Sequence, residues 1–336
     1  MDIGNLILMK SNHMCIFSFI FLIQNNMAND IKSKSCACKG IRTCSKCEQY
    51  QPPKSSDRNL HIEKTYVHCW RCGNRAYDSE FFDKHFEDHE KTNKFDNNVP
   101  MVEIDGIFLQ TDVITDDEEV QLIRQIDSFK WIDSQSGRRK QDFGPKINFK
   151  KQKINFTPFE GMPKLDVELL NTIRSERLTS HDDWHRFSSL PFDQYSDYTI
   201  LNRFHAIEIC HLEYCPERGS SIDPHFDDNW IWGERLVTLN LASTTAITLT
   251  FPELSSSPEY CIRIVCPRKS LLVLYGDARY KFHHSIQRTD INHRRLAITF
   301  RELAYSFFQQ SFLNKDMRHL QIRDEFLNRS KKFIIK

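Results

Sequence analysis

The spacing of hydrophobic and polar positions changes along this chain at about residue 195. Before that point the clearest element is TDDEEVQLIRQIDSF (115–129). Thr115 and Glu118 have the spacing of a capping box, which predicts that a helix starts here. Its apolar face is predicted from three residues at helical spacing, Val120, Ile123 and Ile126.

After about residue 195 the pattern becomes that of short strands. A series of β-branched or aromatic runs is separated by Gly, Pro and Ser, with no helical spacing between them. The runs are AIEICHLEY, RLVTLNLAS, AITLTF, YCIRIVC, SLLVLYG, KFHHSIQ and RRLAITFREL. Consecutive strands without intervening helices imply an antiparallel sandwich or barrel. The predicted fold class is therefore α+β, with helices first and a β-roll after them.

Length and composition favour a main domain with a smaller module. The chain has 336 residues, of which 40% are hydrophobic, and its formal net charge is +1. A charge so close to zero gives no overall argument for nucleic-acid binding, so any basic surface has to be local. The predicted regions are a disordered leader (1–35), a Cys/His-rich module (36–90), a linker (91–99), a globular domain (100–305) and a basic C-terminal helix or tail (306–336).

The leader contains an apolar run, MCIFSFIFLI (14–23), that is too short to span a bilayer. A functional signal peptide would export the chain and expose the cysteines just downstream to oxidation. We therefore favour translation from Met27, or a disordered extension, over a signal. The expected location is the cytoplasm and the nucleus, without membrane attachment.

A candidate metal site begins in IDPHFDD (222–228). Side chains two apart on an extended strand point to the same side, so His225 and Asp227 face together and Asp228 faces away. Two imidazoles and one carboxylate on one side are the donors of a facial iron(II) site. The alternative is a polar turn after Pro224 in which the acids only face water.

The third ligand has to come from a distant strand, and GDARYKFHHSIQR offers two candidates, His283 and His284. On the next strand, RRLAITFREL, Arg295 and Arg301 alternate with apolar residues and are separated by small ones. Such a face suits a planar dianion, because arginine binds a carboxylate through two parallel hydrogen bonds. An amphipathic strand with solvated arginines explains the pattern equally well.

His-x-Asp, a later strand histidine and Arg-x5-Arg occur in the order used by the AlkB-type iron(II)/2-oxoglutarate oxygenases. Longer stretches resemble the fourth AlkB homologue subfamily, and these are CACKGIRTCSKCE (36–48), SQSGRRKQDFGPKINFKKQK (134–153), YCPERGSSIDPHFDDNWIWGERLVTLNL (214–241), SLLVLYGDARYKFHHSI (270–286) and RRLAITFREL (294–303). The resemblance implies a double-stranded β-helix, or jelly-roll, as the catalytic core. It also implies that the protein uses iron(II), 2-oxoglutarate and O2.

The resemblance also implies site residues, position by position. A Gly-x-Ala-Arg turn precedes the ligand histidine in this family, which selects His284 over His283. The implied iron ligands are His225, Asp227 and His284, and the implied 2-oxoglutarate contacts are Arg295, Arg301 and Tyr214. His211 stands where related sequences tend to have Asn, so it is left out of the site.

The activity that the resemblance implies is oxidative N-demethylation, with methyl-lysine in protein as the substrate and actin as the associated protein. N6-methyladenine in DNA or RNA is an alternative substrate. A third hypothesis is an inactive roll that acts as a binding module, although all three ligands and both arginines are present. The oligomeric state is left open.

Six of the eleven cysteines lie between Cys36 and Cys72, as expected for metal ligands in a reducing compartment. The first set is Cys36, Cys38, Cys44 and Cys47, for which zinc is favoured over an iron–sulfur cluster. The second set has the spacing of a C2H2 finger and comprises Cys69, Cys72, His85 and His89. Both sets predict structural zinc.

Local charge indicates what two segments of the chain can bind. Residues 78–90 contain six acids against one base, Lys84, so a finger helix there would repel phosphates and suits a protein contact or a structural role. The segment RRKQDFGPKINFKKQK (138–153) holds seven Lys or Arg against Asp142 and includes two phenylalanines. This basic segment could contact a nucleic-acid backbone, an acidic protein surface or only solvent.

Overall fold

The computed structural model describes residues 36–38, 44–48, 62, 64–92, 99–187, 198–252, 260–309 and 317–334. The predicted leader, with Met27 and its apolar run, lies outside these residues, as does most of the predicted linker. Within the described part of the chain, no helix combines the length and the apolar character needed to cross a membrane.

Two seven-stranded sheets form the body of the fold. Numbered in chain order, the strands of the first sheet lie side by side as β10 (Ile222–His225), β15 (His283–Ile286), β12 (Thr245–Thr250), β13 (Tyr260–Cys266), β1 (Lys64–His68), β2 (Arg75–Asp78) and β3 (Met101–Glu103). Those of the second sheet are β4 (Ile107–Gln110), β14 (Ser270–Leu274), β11 (Trp232–Leu241), β16 (Arg295–Leu303), β9 (Glu208–Tyr214), β6 (Arg139–Phe143) and β5 (Ile132–Asp133). A separate hairpin pairs β7 (Lys146–Asn148) with β8 (Lys153–Asn155).

The antiparallel roll predicted from the strand pattern is confirmed. Each of the predicted runs after about residue 195 contains a strand, namely β9 and β11 to β16. Neighbouring strands of the two sheets are antiparallel, apart from the parallel pair of β1 and β13. The expectation of helices alone before the roll was incomplete, because β1 to β8 are too short to show a clear alternation.

The helices are α1 (Ser45–Glu48), α2 (Phe82–Thr92), α3 (Asp116–Ser128), α4 (Lys164–Thr172), α5 (Gly276–Tyr280) and α6 (Met317–Ser330). A short π-helix (Ile173–Arg177) continues α4. The 3-10 helices are Phe149–Lys151, Asp182–Phe187, Pro216–Arg218, Arg288–Asp290 and Tyr305–Phe307.

The predicted capping box of α3 is present. The Glu118 amide donates to Thr115 Oγ1 at 3.2 Å, and the Thr115 amide donates to the Glu118 carboxylate at 2.8 Å. The predicted apolar face was wrong at Val120, which is 43% exposed. Leu122 and Ile126 are buried instead, and Val120 lies about 200° around the helix from Leu122 at 3.6 residues per turn.

Side chains that alternate along the strands of the second sheet pack into two different hydrophobic cores. On β14, Leu271 and Val273 pack into the core that also contains residues of α3 and α4. Leu272 and Leu274 point the other way, into the core between the two sheets. The candidate site opens within this second core, so its dimensions depend on how the sheets pack.

A buried ion pair joins β11 to β16. Arg235 and Glu302 are both buried, and the guanidinium donates to the two carboxylate oxygens at 3.0 and 2.6 Å. Its remaining nitrogen donates to the backbone carbonyls of Ile200 and Asn202. The pair therefore ties the loop before β9 to the centre of the second sheet.

Glu302→Gln should lower the free energy of unfolding by roughly 3 kcal/mol, because it leaves the Arg235 charge buried beside a neutral amide. Urea unfolding of the folded variant measures this as a lower midpoint with an unchanged slope. Glu168→Gln is the matched control, since it breaks only the exposed Lys164–Glu168 pair and should change stability by less than about 0.5 kcal/mol. Equal midpoints for the two variants would contradict the expectation.

Candidate active site

Two neighbouring strands bring the candidate metal ligands together. His225 is the last residue of β10, and His284 is its direct cross-strand partner on β15. Their ring centroids lie 4.2 Å apart. Asp227 follows two residues after the strand, and one ligand atom from each of the three side chains lies within 4.8 Å of the others. The structure thus assembles the predicted donor set from residues far apart in the chain.

Both imidazoles have a ring nitrogen that makes no hydrogen bond to the backbone and is available to a metal. The carbonyl of Asp223 accepts from His225 Nδ1 at 2.8 Å, which leaves the lone pair of a neutral ring on Nε2, 3.6 Å from Asp227. His284 Nδ1 is buried and has no hydrogen-bond partner among the described residues. Burial also lowers the pKa of His284 to about 3. Two imidazoles and one carboxylate are a donor set that fits iron(II).

The two competing candidates lie elsewhere. The ring of His283 faces Phe226, with centroids 4.3 Å apart, and does not belong to the donor set. Asp228 is exposed and also lies outside that set. The polar turn considered as an alternative for this segment does not account for these positions, because Asp227 is largely buried.

Arg301 holds the carboxylate of the donor set. Its Nε donates to Asp227 at 2.9 Å, and its Nη1 donates to Glu208 at 2.6 Å. Burial by itself would raise the pKa of Asp227, but the charge of Arg301 outweighs it and keeps that pKa well below the usual value. Asp227 is therefore ionised, as a metal ligand has to be.

Arg295 occupies the same cavity, a space of about 80 Å³, without an acidic partner. It is 2% exposed, which rules out the solvated arginine considered as an alternative. Its Nε donates to Asn240 at 2.7 Å, and its guanidinium lies 4.8 Å from the ring of Tyr214, its cross-strand partner on β9. No carboxylate in the described part of the chain pairs with it, and burial lowers its pKa.

Sequence reasoning missed two residues that orient the arginines. Asn240 fixes Arg295, while its own amide donates to the carbonyls of Ser243, Cys266 and Pro267. Glu208 balances Arg301. A lone amide within the apolar run LVTLNL was a usable signal for Asn240, because an isolated polar side chain in a buried strand needs partners.

His211, left out of the predicted site, has a different environment. It is buried, with Nδ1 2.7 Å from Gln141 and Nε2 2.8 Å from Asp166. It does not line the cavity of His225. It instead connects the second sheet to α4.

The first cysteine set converges at one point. Cys36, Cys38, Cys44 and Cys47 each offer a sulfur within 4.8 Å of the others, and none forms a disulfide. Burial raises the pKa of Cys38 to about 12. The four sulfurs could hold a metal ion that favours thiolates.

The second cysteine set lies on a strand–strand–helix unit formed by β1, β2 and α2. Cys69, Cys72 and His85 form a group of potential ligands, with Cys72 Sγ 3.3 Å from His85 Nε2. Hydrogen bonds, first of all from Cys72, lower the pKa of Cys69 to about 5. The side chain of His89 lies outside the described residues.

Comparison with known proteins identifies relatives along most of the chain. The human alpha-ketoglutarate-dependent dioxygenase alkB homolog 4 is 36% identical over 306 residues, and the match covers 82% of this chain and 88% of the relative. Its mouse counterpart is 34% identical over 307 residues, with the same coverage. The DNA N6-methyl adenine demethylase of Caenorhabditis elegans is 30% identical over 288 residues, again with 82% and 88% covered.

No protein-family model matches the chain. The assignment therefore rests on these relatives, in each of which the match covers 88% of the sequence. This chain belongs to the AlkB family of 2-oxoglutarate-dependent dioxygenases.

Proposed function

We propose that this dioxygenase removes N-methyl groups by oxidation, with iron(II) held by His225, Asp227 and His284. The observation that carries the proposal is the shared cavity, in which three suitable donors face a buried guanidinium without an acidic partner. When bound, iron(II), 2-oxoglutarate and dioxygen would supply the oxidising power to hydroxylate an N-methyl group, and the resulting N-hydroxymethyl group would leave the amine as formaldehyde. The residues of the chain provide orientation and exclude water.

Arg295 would bind the distal carboxylate of 2-oxoglutarate. A guanidinium forms two parallel hydrogen bonds with a carboxylate, and a buried cation without a counter-ion gains most from such a partner. Asn240 holds Nε, which orients the rest of the fork. Tyr214 lines the same cavity, and its hydroxyl would donate a hydrogen bond to the cosubstrate. Arg301 is paired with Asp227 and Glu208, so its role is to position the metal-binding carboxylate.

Asp227→Asn should abolish stoichiometric iron(II) binding and lower kcat/KM by at least about 100-fold, because it removes the anionic ligand. Metal content and succinate release measure the two effects. Asp228→Asn is the matched control, and it should retain iron and activity because Asp228 lies outside the donor set. Equal iron content in both variants would contradict the assignment.

Arg295→Lys should raise the KM for 2-oxoglutarate by about tenfold or more, since an ammonium cannot form the paired hydrogen bonds of a guanidinium. The variant should keep its iron, because Arg295 does not contact the donor set through any hydrogen bond of the described residues. Initial rates of succinate formation against 2-oxoglutarate concentration provide the measurement. Arg268→Lys, at an arginine outside the cavity that pairs with Asp116 and Glu119, should leave KM unchanged, and an unchanged KM in both variants would refute the role.

The substrate that we favour is methyl-lysine on an acidic protein surface, with actin as the candidate from the resemblance. The hairpin of β7 and β8 exposes cations without carboxylate partners among the described residues, at Lys146, Lys150, Lys151 and Lys153. The hairpin lies next to the site. The ring centroids of Phe149 and Trp232 are 6.5 Å apart, and the Trp232 ring centroid lies 5.3 Å from the guanidinium carbon of Arg301.

A neighbouring cleft gives a protein substrate further room. It encloses about 660 Å³ between the hairpin and α6, and Trp230 in its wall follows Asp227 by three residues. Apolar side chains such as Phe156 and Ile322 line it together with Arg318, which has no acidic partner in the described chain, and with Glu325, whose charge is paired with Arg329. Apolar walls with a cation suit an acidic peptide segment better than a rigid duplex.

N6-methyladenine in DNA or RNA is the second candidate. The unpaired lysines of the hairpin also suit phosphates, and the worm relative is named as a DNA N6-methyl adenine demethylase. The acids on α2, such as Glu87 and Asp88, lie towards the opposite edge of the first sheet, so they only exclude that surface as a further contact for a nucleic-acid backbone. The inactive-module hypothesis has the least support, since the donors and both arginines share one cavity.

Incubating the iron-loaded chain separately with methyl-lysine actin and with N6-methyladenine oligonucleotides tests the substrate. We expect loss of the methyl mass and formaldehyde release on the protein at a kcat/KM at least about tenfold above that on the oligonucleotide. Asp227→Asn serves as the inactive control. Lys150→Glu with Lys151→Glu should lower turnover of the macromolecule without changing the KM for 2-oxoglutarate. Turnover of the oligonucleotide alone would overturn the protein assignment.

We also propose that both cysteine sets bind structural zinc, with His89 as the fourth ligand of the second set. Four thiolates suit zinc or an iron–sulfur cluster, and zinc is favoured because the family's redox chemistry resides at the iron site. Reduced thiols of this kind fit a reducing compartment, so the proposed location is the cytoplasm and the nucleus.

A further inference from the structure

The four-cysteine segment, residues 36–38 and 44–48, contacts residues that flank the two strands carrying the candidate iron ligands. Glu48, next to Cys47, accepts two hydrogen bonds from Arg288 at 2.6 and 2.5 Å. Arg288 follows the end of β15 by two residues. Ser45 packs against Gly219, three residues before β10, so closely that a Cβ at Gly219 would lie 2.3 Å from Ser45 Oγ. Gly219 also has a positive φ of 57°.

The loop before β10 is fixed on its other side as well. Ser220 Oγ donates to the carbonyl of Gly137 and accepts from the Cys215 amide, at 2.8 and 2.9 Å. The Ser221 amide donates to the carbonyl of Ser136 at 3.1 Å. The loop thus lies between the 136–137 turn and the four-cysteine segment. A displacement of that segment would free one side of the loop.

β10 depends on such support because its pairing is weak. It is the edge strand of the first sheet, with β15 as its only neighbour in the described chain. The two strands are in register at Ile222 with Ile286 and at His225 with His284, but the register shifts between these positions. Few backbone hydrogen bonds therefore hold His225 opposite His284, and an irregular edge strand opens easily.

The four-cysteine segment cannot supply this support from its own packing. Its helix, α1, has four residues, which is too short to be stable alone. Its buried core consists of cysteine side chains, and a metal bound by their thiolates would replace the missing hydrophobic core. Metal occupancy is therefore what would keep Ser45 and Glu48 in place.

We infer that the metal site formed by Cys36, Cys38, Cys44 and Cys47 clamps the start of β10 to the end of β15 and thereby sets the iron affinity of His225 and His284. This inference rests on the proposed function, in which these histidines hold iron. The two metal sites are then thermodynamically coupled, so iron should in turn strengthen retention of the zinc. Loss of the zinc should weaken iron(II) binding by about 10- to 100-fold, the range seen when groups that orient metal ligands are removed.

The test uses the full chain and measures zinc content together with anaerobic iron(II) titration in the presence of 2-oxoglutarate. Wild-type protein should carry two zinc ions. Cys44→Ser with Cys47→Ser should lose one zinc and bind iron about 10- to 100-fold more weakly. Cys69→Ser with Cys72→Ser is the matched control, because those residues adjoin β1 and β2 towards the opposite edge of the sheet. It should also lose one zinc but keep its iron affinity within about threefold.

Two variants change the contacts of the four-cysteine segment with Arg288 and Gly219 without removing a cysteine. They test the inference even if the double cysteine variant does not fold. Glu48→Gln and Gly219→Ala leave all four thiols in place, so both should retain two zinc ions while binding iron more weakly. Unchanged iron affinity in both variants overturns the clamp, as does a wild-type chain that binds iron fully with the four-cysteine site empty. Wild-type protein that binds no iron would instead refute the proposed iron site, so the two failures are distinguishable.

Discussion

The pairing of β10 with β15 is the constraint on which the candidate site depends. Both histidines belong to the first sheet and face each other across one pair of strands. Both arginines belong to β16 of the second sheet. The two histidines and the two arginines thus lie on opposite walls, and the distance between them is set by the apolar side chains of the intervening core, among them Leu236, Ile247 and Leu272. Close packing of such cores keeps a distance of this kind fixed.

The two arginines share one face of one strand, yet their surroundings give them different roles. Arg301 lies between Asp227 and Glu208, so its charge is neutralised and its position fixed. Arg295 has an amide and a phenol ring beside it, neither of which carries a negative charge. A buried cation in that setting is costly until an anion arrives. Under the proposed function, the same residue type would therefore position a metal-binding carboxylate at one end of the cavity and bind a dianion at the other.

Features that repeat at short range were predictable from the sequence. The alternation on β16 showed that Leu296 and Ile298 would pack inward while the arginines faced the other way, and the structure has this arrangement. Two-residue parity likewise separated Asp227 from Asp228. Val120 shows the limit of local patterns, because a helix face is decided by what it packs against.

Contacts between distant segments were not predictable in this way. Nothing in the sequence near Glu208 indicates that it meets Arg301, and β1 pairs in parallel with β13 across nearly two hundred residues. Neither strand carries a local signal for that partner, since parallel pairing is set by the path of the whole chain. The spacing of the cysteines predicted metal sites but not their location.

That location changes how the Cys/His-rich segment relates to the roll. Cys69 and Cys72 lie between two strands that extend the first sheet beyond β13, while the four-cysteine set contacts the loops beside β10 at the other edge. The edge formed by β10 thus lies beside the four-cysteine set, while the other set lies at the turn between β1 and β2, near the opposite edge. An open sheet edge is the part of a β-structure most prone to fraying and mispairing. A metal bound by the four cysteines, as proposed above, would protect the strand that carries His225, whose displacement would disassemble the donor set.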